Sequence, residues 1–376
     1  MKTTHKEELY FKQDNLTDKL FDENSIFFDI ETTGFSPSRA SVYLIGCSRK
    51  KGKYICIDQF FAEDPSEEKI VINAFIEILK QYNTIISFNG IGFDIPFLKA
   101  KCDMYNIDEN FKNYNYLDIF KLVSDIKLIL NLENYKQKTI EKFLNIKRDD
   151  VYSGGELINV YYDYLKSKDN KLLDALLLHN YEDVLGMKEL LPILSYVEII
   201  HGQYSIKETA IKPYLSIDGS QKNELYIFLE NDYSLPRKLS CRLDNIYITF
   251  NADTTIIRIP IYDCEMKYFY SNYKDYFYLP EEDIAIHKSI GQFVDKKYKE
   301  KCRAYNCYNR KSGKFIIQFS AIMNPEFKED YKDKNSYFEL TNDFCQSDIM
   351  IRRYVDHIFN HFFISVGKTP TSISGE

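Results

Sequence analysis

The spacing of apolar residues in the first half of the chain predicts a β-sheet that is followed by helices. Three short runs of β-branched and aromatic residues predict adjacent antiparallel strands at 25–30, 41–48 and 53–61. Apolar residues at 70, 71, 74, 75, 78 and 79 then have the spacing of one helix face. The pattern continues with a strand at 84–88, a helix at 96–104, a strand at 114–117 and helices up to residue 194. This order predicts the α/β class.

The regular pattern lapses at residues 195–222, where Gly202, Pro213 and Gly219 interrupt every period. Since 376 residues favour two domains over one, we place a domain boundary there. Beyond it, strand-like runs are spaced like a meander at 224–230, 245–251 and 255–262, and helical stretches follow at 281–298 and 346–363. We therefore expect an N-terminal extension at 1–24, an α/β domain at 25–200, a linker at 201–222 and an α+β domain at 223–376.

The net charge of −7 argues against a protein that binds nucleic acid by bulk electrostatic attraction. Residues 1–200 hold 25 Lys and Arg against 32 Asp and Glu, whereas residues 201–376 hold 24 against 24. All of the excess negative charge therefore lies in the first half. A protein of this kind binds a polyanion through local basic patches or through metal ions.

Hydropathy and cysteine content favour a cytoplasmic protein without membrane contact. No apolar run approaches the ~20 residues that a membrane-spanning helix needs. Residues 1–24 mix charged and apolar side chains and have no apolar stretch like the core of a secretory signal. The eight cysteines show neither a CxxC motif nor the spacing of zinc ligands, which favours buried free thiols in a reducing compartment.

The most informative motif is FDIETTG at residues 28–34. Alternation along a strand places the side chains of Asp29 and Glu31 on the same face, while Ile30 points into the core. Two carboxylates at so short a distance repel each other unless a cation lies between them. Hard oxygen ligands of this kind suit Mg²⁺ or Mn²⁺. The alternative is an exposed edge strand with acidic residues facing water, which the Thr-Thr-Gly that follows does not favour.

A second motif, NGIGFDIPFL at residues 89–98, follows one predicted strand and precedes a helix. Pro96 is compatible with a first helical turn, because the amides there need no partner within the helix. Asp94 is the candidate functional residue of this motif. The alternative is that Asp94 merely caps the helix N-terminus.

A third group lies in the helical pattern at 172–191. His179 and Asp183 are four residues apart and therefore share one helix face, whereas Tyr181 points elsewhere. Taken alone, such a pair is most often a pair on a helix surface. The pair becomes a functional candidate only because it follows the other two motifs in this order along the chain.

In this order, DxETTG, NGxxFDxPFL and a helix with a ring-bearing residue four before Asp resemble the DEDD superfamily of 3'-5' exonucleases. Within that superfamily, the chain is most similar to the YprB-like predicted exonucleases, which are related to the polymerase B proofreading domain. The resemblance covers about residues 24–195. It implies an RNase H-like mixed sheet with flanking helices, and a nuclease that hydrolyses phosphodiester bonds.

The resemblance also implies a role for each residue that matches these motifs. Four carboxylates would hold two divalent cations, Mg²⁺ or Mn²⁺, which would catalyse the hydrolysis. These carboxylates belong to Asp29, Glu31, Asp94 and Asp183. The related branch usually carries Tyr where this chain has His179, and we expect His179 to act as the general base. The positions that would contact the substrate are Thr32, Thr33, Gly34, Phe35 and Asn89.

Two of the neighbouring residues have ordinary structural alternatives. Phe35 matches the apolar side chain that separates the last two bases, but simple loop packing is an equally good interpretation. Asp118 follows a predicted strand, where a helix N-cap is a better interpretation than a fifth carboxylate ligand.

A basic segment in the second half is a candidate for contact with single strands. Residues 288–314 contain nine Lys and Arg with interleaved Phe and Tyr, which combines phosphate contacts with stacking surfaces. The candidate contact residues are Lys296, Lys297, Lys299 and Lys301. The alternative is a solvated helix face followed by a hairpin at 310–314.

The sequence thus predicts a metal-dependent 3'-5' exonuclease that acts on single-stranded or frayed nucleic acid. One alternative is a structure-selective endonuclease, because RNase H-like folds with four carboxylates also cut internally. Another is a non-catalytic module that binds nucleic acid or protein. The presence of all four carboxylates argues against the second alternative.

Overall fold

The computed structural model describes residues 1–11, 14–147, 152, 154–216 and 218–365, with side chains up to residue 362. The chain divides into two compact units. Among the described residues, the first unit contains 1–199 and 233–237, and the second contains 200–232 and 238–365.

A six-stranded mixed sheet forms the centre of the first unit. Its strands are β1 (Lys2–Leu9), β2 (Ser25–Thr32), β3 (Val42–Lys51), β4 (Tyr54–Phe61), β5 (Thr84–Ser87) and β6 (Asn115–Asp118). Their spatial order is β1-β4-β3-β2-β5-β6. The first four pair antiparallel, and β2, β5 and β6 pair parallel. Every strand predicted for the first half is present, and the α/β class is confirmed.

Helices cover this sheet and continue beyond it. They are α1 (Asn15–Leu20), α2 (Glu68–Leu79), α3 (Asp94–Tyr105), α4 (Ile119–Asp125), α5 (Lys127–Leu130), α6 (Gln137–Leu144), α7 (Gly154–Ser167), α8 (Asn170–Leu190) and α9 (Ser195–Ile200). The predicted helix is present as α2, but its buried face is rotated from the predicted one: Val71, Phe75 and Leu79 are buried as expected, Ile72 and Ile76 are buried as well, and Ile70 is exposed. The long helix α8 packs against β2 and β3, and the hydroxyl of Ser48 donates to the carbonyl of Val184 at 2.7 Å.

The segment 1–24, predicted to be an extension, is part of this unit. Strand β1 pairs antiparallel with β4 along its whole length, from Lys2 opposite Phe61 to Leu9 opposite Tyr54. The residues of β1 are mostly polar and exposed, because β1 is an edge strand held by backbone hydrogen bonds. A hydrophobic pattern cannot reveal such a strand, since no apolar face is buried.

The second unit is rich in β-structure. Its strands are β7 (Tyr204–Leu215), β8 (Gln221–Asn231), β9 (Leu239–Leu243), β10 (Ile246–Phe250), β11 (Thr254–Phe269), β12 (Tyr276–Leu279), β13 (Ile284–His287), β14 (Glu300–Lys301), β15 (Tyr308–Gln318) and β16 (Ser336–Glu339). Its helices are α10 (Lys288–Gly291), α11 (Asn342–Gln346) and α12 (Asp348–Ser365). Strands β7–β11, β15 and β16 form a seven-stranded sheet, and β12–β14 form a three-stranded sheet. The predicted α+β class of this half is confirmed.

The segment 201–222, predicted to be a linker, contains most of β7, which pairs antiparallel with β8. Pro213 is tolerated because β7 pairs with β8 alone and so lies at an edge, where a missing N–H costs little. Gly219 has φ of +78° and lies in the turn between the two strands. The residues that suggested a break therefore mark an edge strand and its turn.

In and around the basic segment, one prediction is wrong, and so is one part of the alternative interpretation. Instead of a helix at 281–298, the chain forms β13, the short α10 and a 3-10 turn at Lys296–Tyr298. Instead of a hairpin at 310–314, the strand β15 runs through Gly313 without a break and pairs with β11. A long partner strand thus overrides the local turn signal of Ser-Gly.

None of the described helices combines the length and the apolar content needed to cross a membrane. The eight cysteines are free, and six of them are buried. The prediction of free, mostly buried thiols is therefore confirmed.

Candidate active site

Three elements of the first unit converge on one group of acidic side chains. Asp29 and Glu31 lie on the same face of β2, close to its end, and a bulge separates Glu31 from Thr32. Asp94 is the first residue of α3, and Asp183 lies in the second half of α8. Strand alternation and the helix start thus bring together residues that are up to 154 positions apart, from Asp29 to Asp183.

His179 lies between two of these carboxylates. Its Nε2 atom is 3.6 Å from Oε1 of Glu31 and 3.2 Å from Oδ2 of Asp183. One ligand atom from each of the three residues lies within 4.8 Å of the others. All three side chains are almost completely buried, so this is not a surface pair of a helix.

Asp94 contacts β2 rather than capping its own helix. One carboxylate oxygen accepts a hydrogen bond from the backbone N–H of Ile30 at 3.3 Å. The residue at the N-cap position of α3 is Phe93, and no side chain caps this helix end. Burial raises the pKa of Asp94 to about 7, although the hydrogen bonds from backbone N–H groups act in the opposite direction. The alternative interpretation of Asp94 as a simple N-cap is therefore wrong.

The electrostatic environment of Asp29 reflects the whole group. Burial raises the pKa of its carboxyl well above the ordinary value, and the charges of Asp183, Glu31 and Asp94 raise it further. A hydrogen bond from Asn180 acts in the opposite direction. The donor set of carboxylate oxygens with one imidazole fits a hard divalent cation, because a cation relieves this repulsion.

Asn180 is a site residue that the sequence analysis missed. Its Nδ2 lies 3.3 Å from Oδ2 of Asp29, and its Oδ1 accepts a hydrogen bond from Nε2 of Gln59 at 3.0 Å. A Cβ atom at Gly46 would overlap Oδ1 of Asn180, so only glycine leaves room for this contact. One signal was present: Asn180 is a polar residue at an apolar position of the helical period, between Leu176 and Val184.

Gln137 also supports the site and gave no sequence signal. Its Nε2 lies 3.3 Å from Oδ1 of Asp183 and 3.0 Å from Oε1 of Glu141. The contact joins α6 to α8 through two residues that are 46 positions apart in the chain. Gln137 thus contacts Oδ1 of Asp183, whereas His179 faces Oδ2.

The loops that lead away from β2 and β5 carry the predicted substrate contacts. Thr32 donates to the carbonyl of Gly34 at 2.9 Å, and Thr33 accepts from the backbone N–H of Ser41 at 2.8 Å. Phe35 is 89% exposed, and its ring contacts Phe93 edge-on at 6.1 Å between centroids. Most of the surface of this ring is thus open to solvent.

Asp118 holds the loop that contains Asn89. Its carboxylate caps α4 through the N–H of Lys121 and also accepts from the N–H groups of Asn89 and Ile91, each at 3.0 Å. Asn89 has a left-handed backbone with φ of +65°. The prediction that Asp118 is an N-cap is confirmed, and its second role is to shape this loop.

Tyr181 and the four lysines lie outside the carboxylate cluster. The Tyr181 hydroxyl donates to Oε1 of Glu8 on β1 at 2.9 Å. The lysines lie in the second unit, on the 3-10 turn, on β14 and between them; they are Lys296, Lys297, Lys299 and Lys301. The ammonium group of Lys299 is partly engaged, because it donates to the carbonyl of Gly291 at 2.6 Å.

Comparison with known proteins assigns the fold of the first unit. Residues 26–195 match the family model RNase_H_2 of the RNase_H superfamily. The first unit therefore has the RNase H-like fold, as predicted.

A DNA polymerase from Methanocaldococcus jannaschii is 35% identical over 94 residues, which are 23% of this chain and 6% of the polymerase. Among solved structures, the family B DNA polymerase from Pyrobaculum calidifontis has a TM-score of 0.35 and 17% identity, covering 47% of this chain and 24% of that one. E. coli Exonuclease I in complex with a dT13 oligonucleotide has a TM-score of 0.28 and 12% identity, covering 55% of each chain. The chain thus spans about half of the exonuclease and a small part of each polymerase.

The raised pKa of Asp94 predicts how stability depends on pH when divalent ions are removed. The unfolded chain ionises Asp94 near pH 4, whereas the folded chain does so near pH 7, so folding loses stability as pH rises through this interval. In EDTA, Asp94→Asn should melt on the order of 5 °C above the parent at about pH 8. The difference should shrink towards pH 4. Thermal unfolding followed by circular dichroism across this range measures the effect.

Asp103→Asn is the matched control, because Asp103 lies on the same helix and is exposed. The control should leave the pH profile unchanged. An Asp94→Asn profile parallel to that of the parent would show that the carboxyl is not destabilised by its surroundings.

Proposed function

We propose that the first unit is a metal-dependent 3'-5' exonuclease that hydrolyses phosphodiester bonds of single-stranded or frayed nucleic acid. The observation that carries the proposal is the convergence of four carboxylates from β2, α3 and α8 on one site, where burial and then the charges of the other three raise the pKa of Asp29. The match to the RNase H superfamily and the identity with a segment of a DNA polymerase support a nuclease. The 3'-5' direction rests on the resemblance of the motifs.

Asp29, Glu31, Asp94 and Asp183 are the residues that would hold two divalent cations, Mg²⁺ or Mn²⁺. Bound cations supply two effects at such a site: they make water a stronger nucleophile, and they stabilise the negative charge on the leaving 3' oxygen. The chain itself orients the ligands. Asn180 fixes Asp29, Gln137 fixes Asp183, and the backbone N–H of Ile30 fixes Asp94.

His179 is the proposed general base. Its Nε2 faces Glu31 and Asp183, so the imidazole lies beside the proposed metal ligands, where a general base for the attacking water is needed. Tyr181 is a poor candidate for this role, since its hydroxyl is bonded to Glu8 on the edge strand.

The substrate contacts follow from the same site. Thr32, Thr33 and Gly34 would meet the terminal nucleotide, Phe35 would insert between the last two bases, and Asn89 would line the groove. The exposure of the Phe35 ring supports its role, because a buried ring could not reach a base. The basic segment of the second unit would hold the strand through Lys296, Lys297, Lys299 and Lys301.

We also propose that the division of labour follows the domains predicted from the sequence, with the nuclease at 25–200 and the strand-holding part at 223–376. The segments predicted as an extension (1–24) and a linker (201–222) contain the strand β1 and most of the strand β7, respectively. The cytoplasmic location stays a prediction from composition.

The direct test compares the parent with Asp29→Asn on 5'-labelled single-stranded DNA and RNA, with Mg²⁺, with Mn²⁺ and with EDTA. The parent should shorten linear strands from the 3' end only when a divalent ion is present. Asp29→Asn should be nearly inactive while it stays folded, since loss of one ligand misplaces an ion. Asp174→Asn is the matched control, because Asp174 is exposed on α8.

Three outcomes would contradict the proposal. Near-parental activity of Asp29→Asn excludes the carboxylate site as the catalytic centre. Cleavage of circularised strands identifies a structure-selective endonuclease instead. Tight binding of strands by the parent without any cleavage in either metal identifies a non-catalytic module.

His179→Ala should lower turnover by on the order of 10² to 10⁴, the usual contribution of a positioned base, with little change in the apparent affinity for metal or substrate. Single-turnover kinetics at several Mg²⁺ concentrations separate these quantities. Tyr181→Phe is the control and should keep the parental rate. If His179→Ala instead weakens metal binding and excess Mg²⁺ restores the rate, His179 acts as a ligand rather than a base.

The role of the basic segment is tested by replacing Lys296, Lys297, Lys299 and Lys301 together with Gln. Each lost phosphate contact should reduce the slope of log K against log salt by about 0.7, so single-strand binding weakens and depends less on salt. Turnover at saturating substrate should be unchanged. Fluorescence anisotropy with a labelled oligonucleotide, measured over a salt series, gives the slope.

A control with the same change of charge replaces four exposed lysines elsewhere in the second unit, namely Lys238, Lys274, Lys332 and Lys334. Equal salt slopes for the two quadruple variants would assign the segment to the ordinary solvated surface.

A further inference from the structure

The edge of the first unit carries a second group of metal-ligating side chains, apart from the carboxylate site. His5 lies opposite Asp58, and Glu7 lies opposite Cys56, in the antiparallel pair of β1 and β4. Residues two apart on a strand share one face of the sheet, so all four side chains project to the same side. Strand register alone therefore assembles an imidazole, a thiol and two carboxylates.

Two of the three ligand-to-ligand distances within this group are close to those of a tetrahedral zinc site. Nε2 of His5 is 3.5 Å from Oε1 of Glu7, and Sγ of Cys56 is 3.8 Å from the same oxygen. With zinc bonds of about 2.05 Å to nitrogen, 2.1 Å to oxygen and 2.3 Å to sulfur, the tetrahedral separations are about 3.4 Å and about 3.6 Å. One ligand atom from each of the three residues lies within 4.8 Å of the others.

Asp58 orients the imidazole for this purpose. Nδ1 of His5 is 2.7 Å from Oδ1 of Asp58, so the other ring nitrogen, Nε2, is the one directed to Glu7 and Cys56. Such a carboxylate-histidine pair is the usual support of a zinc-bound imidazole. Asp58 is itself fixed by a buried ion pair with Arg49, which also balances its charge.

We propose that His5, Glu7 and Cys56 form a zinc site with three protein ligands and a fourth position open to water. A thiolate together with an imidazole selects Zn²⁺ over Mg²⁺, which prefers oxygen ligands only. Cys56 is 2% exposed and its thiol releases its proton to solvent when the metal binds. The site does not depend on the nuclease function, because it shares no residue with the carboxylate cluster.

Cobalt(II) tests the site in the whole chain, with a phosphine present to keep Cys56 reduced. The titration is done at about pH 8, because metal binding releases protons from the ligands and is therefore stronger than at lower pH. A thiolate bound to Co²⁺ gives a charge-transfer absorption in the near ultraviolet, which a site without cysteine cannot give. The parent should show this band at one equivalent of Co²⁺ per chain, and Zn²⁺ should abolish it by competition. The Asp183→Asn variant should show the same band, since its altered residue belongs to the other site.

Cys56→Ser and His5→Gln should each abolish the band, whereas Cys102→Ser should keep it, because Cys102 is buried in α3 away from these residues. His5 is half exposed, so His5→Gln tests the site even if Cys56→Ser fails to fold. The proposal is wrong if the parent shows no band. It is equally wrong if the band survives in His5→Gln or in a folded Cys56→Ser variant.

Discussion

Repulsion among buried carboxylates is the constraint on which the first unit depends. Asp29, Glu31, Asp94 and Asp183 come from three elements; burial and the other three charges raise the pKa of Asp29, burial raises that of Asp94, and Asp183 accepts a hydrogen bond from Gln137. A fold that places them together must hold them rigidly, because otherwise they would separate. The six-stranded sheet and the helices α3 and α8 supply this rigidity, since they bury large apolar surfaces directly behind the acidic face.

The helical periodicity of α8 places residues with different roles on different faces of one helix. His179 and Asp183 face Glu31, Asn180 reaches Asp29, and Tyr181 contacts the edge strand. Between them, apolar residues anchor the helix on β2 and β3. The position of the acidic residues is therefore set by packing over the whole helix length and not by the acidic residues themselves.

The sequence predicted five of the six strands of the first unit, because β2–β6 carry short runs of β-branched and aromatic residues. The four carboxylates were found differently, through the motifs in which they lie, and the structure brings these four side chains together. The prediction failed at β1 and β7, which are edge strands stabilised by backbone pairing and carry no apolar face. Within the site, Asn180 and Gln137 were missed for a related reason: their importance lies in contacts with residues far away in the chain. In the second unit, the predicted helix at 281–298 was wrong because Ile284 and Ile286 follow strand alternation, and helical spacing over so few apolar residues is ambiguous.

The close approach of Gly46 to Asn180 has an evolutionary consequence. Because any side chain at position 46 would overlap the amide that holds Asp29, the two positions are sterically linked across β3 and α8. A homologue that acquires alanine at position 46 can accommodate it only with a shorter residue at position 180. The two positions should therefore vary together among related sequences, and glycine at the first should accompany asparagine at the second wherever the acidic site is retained.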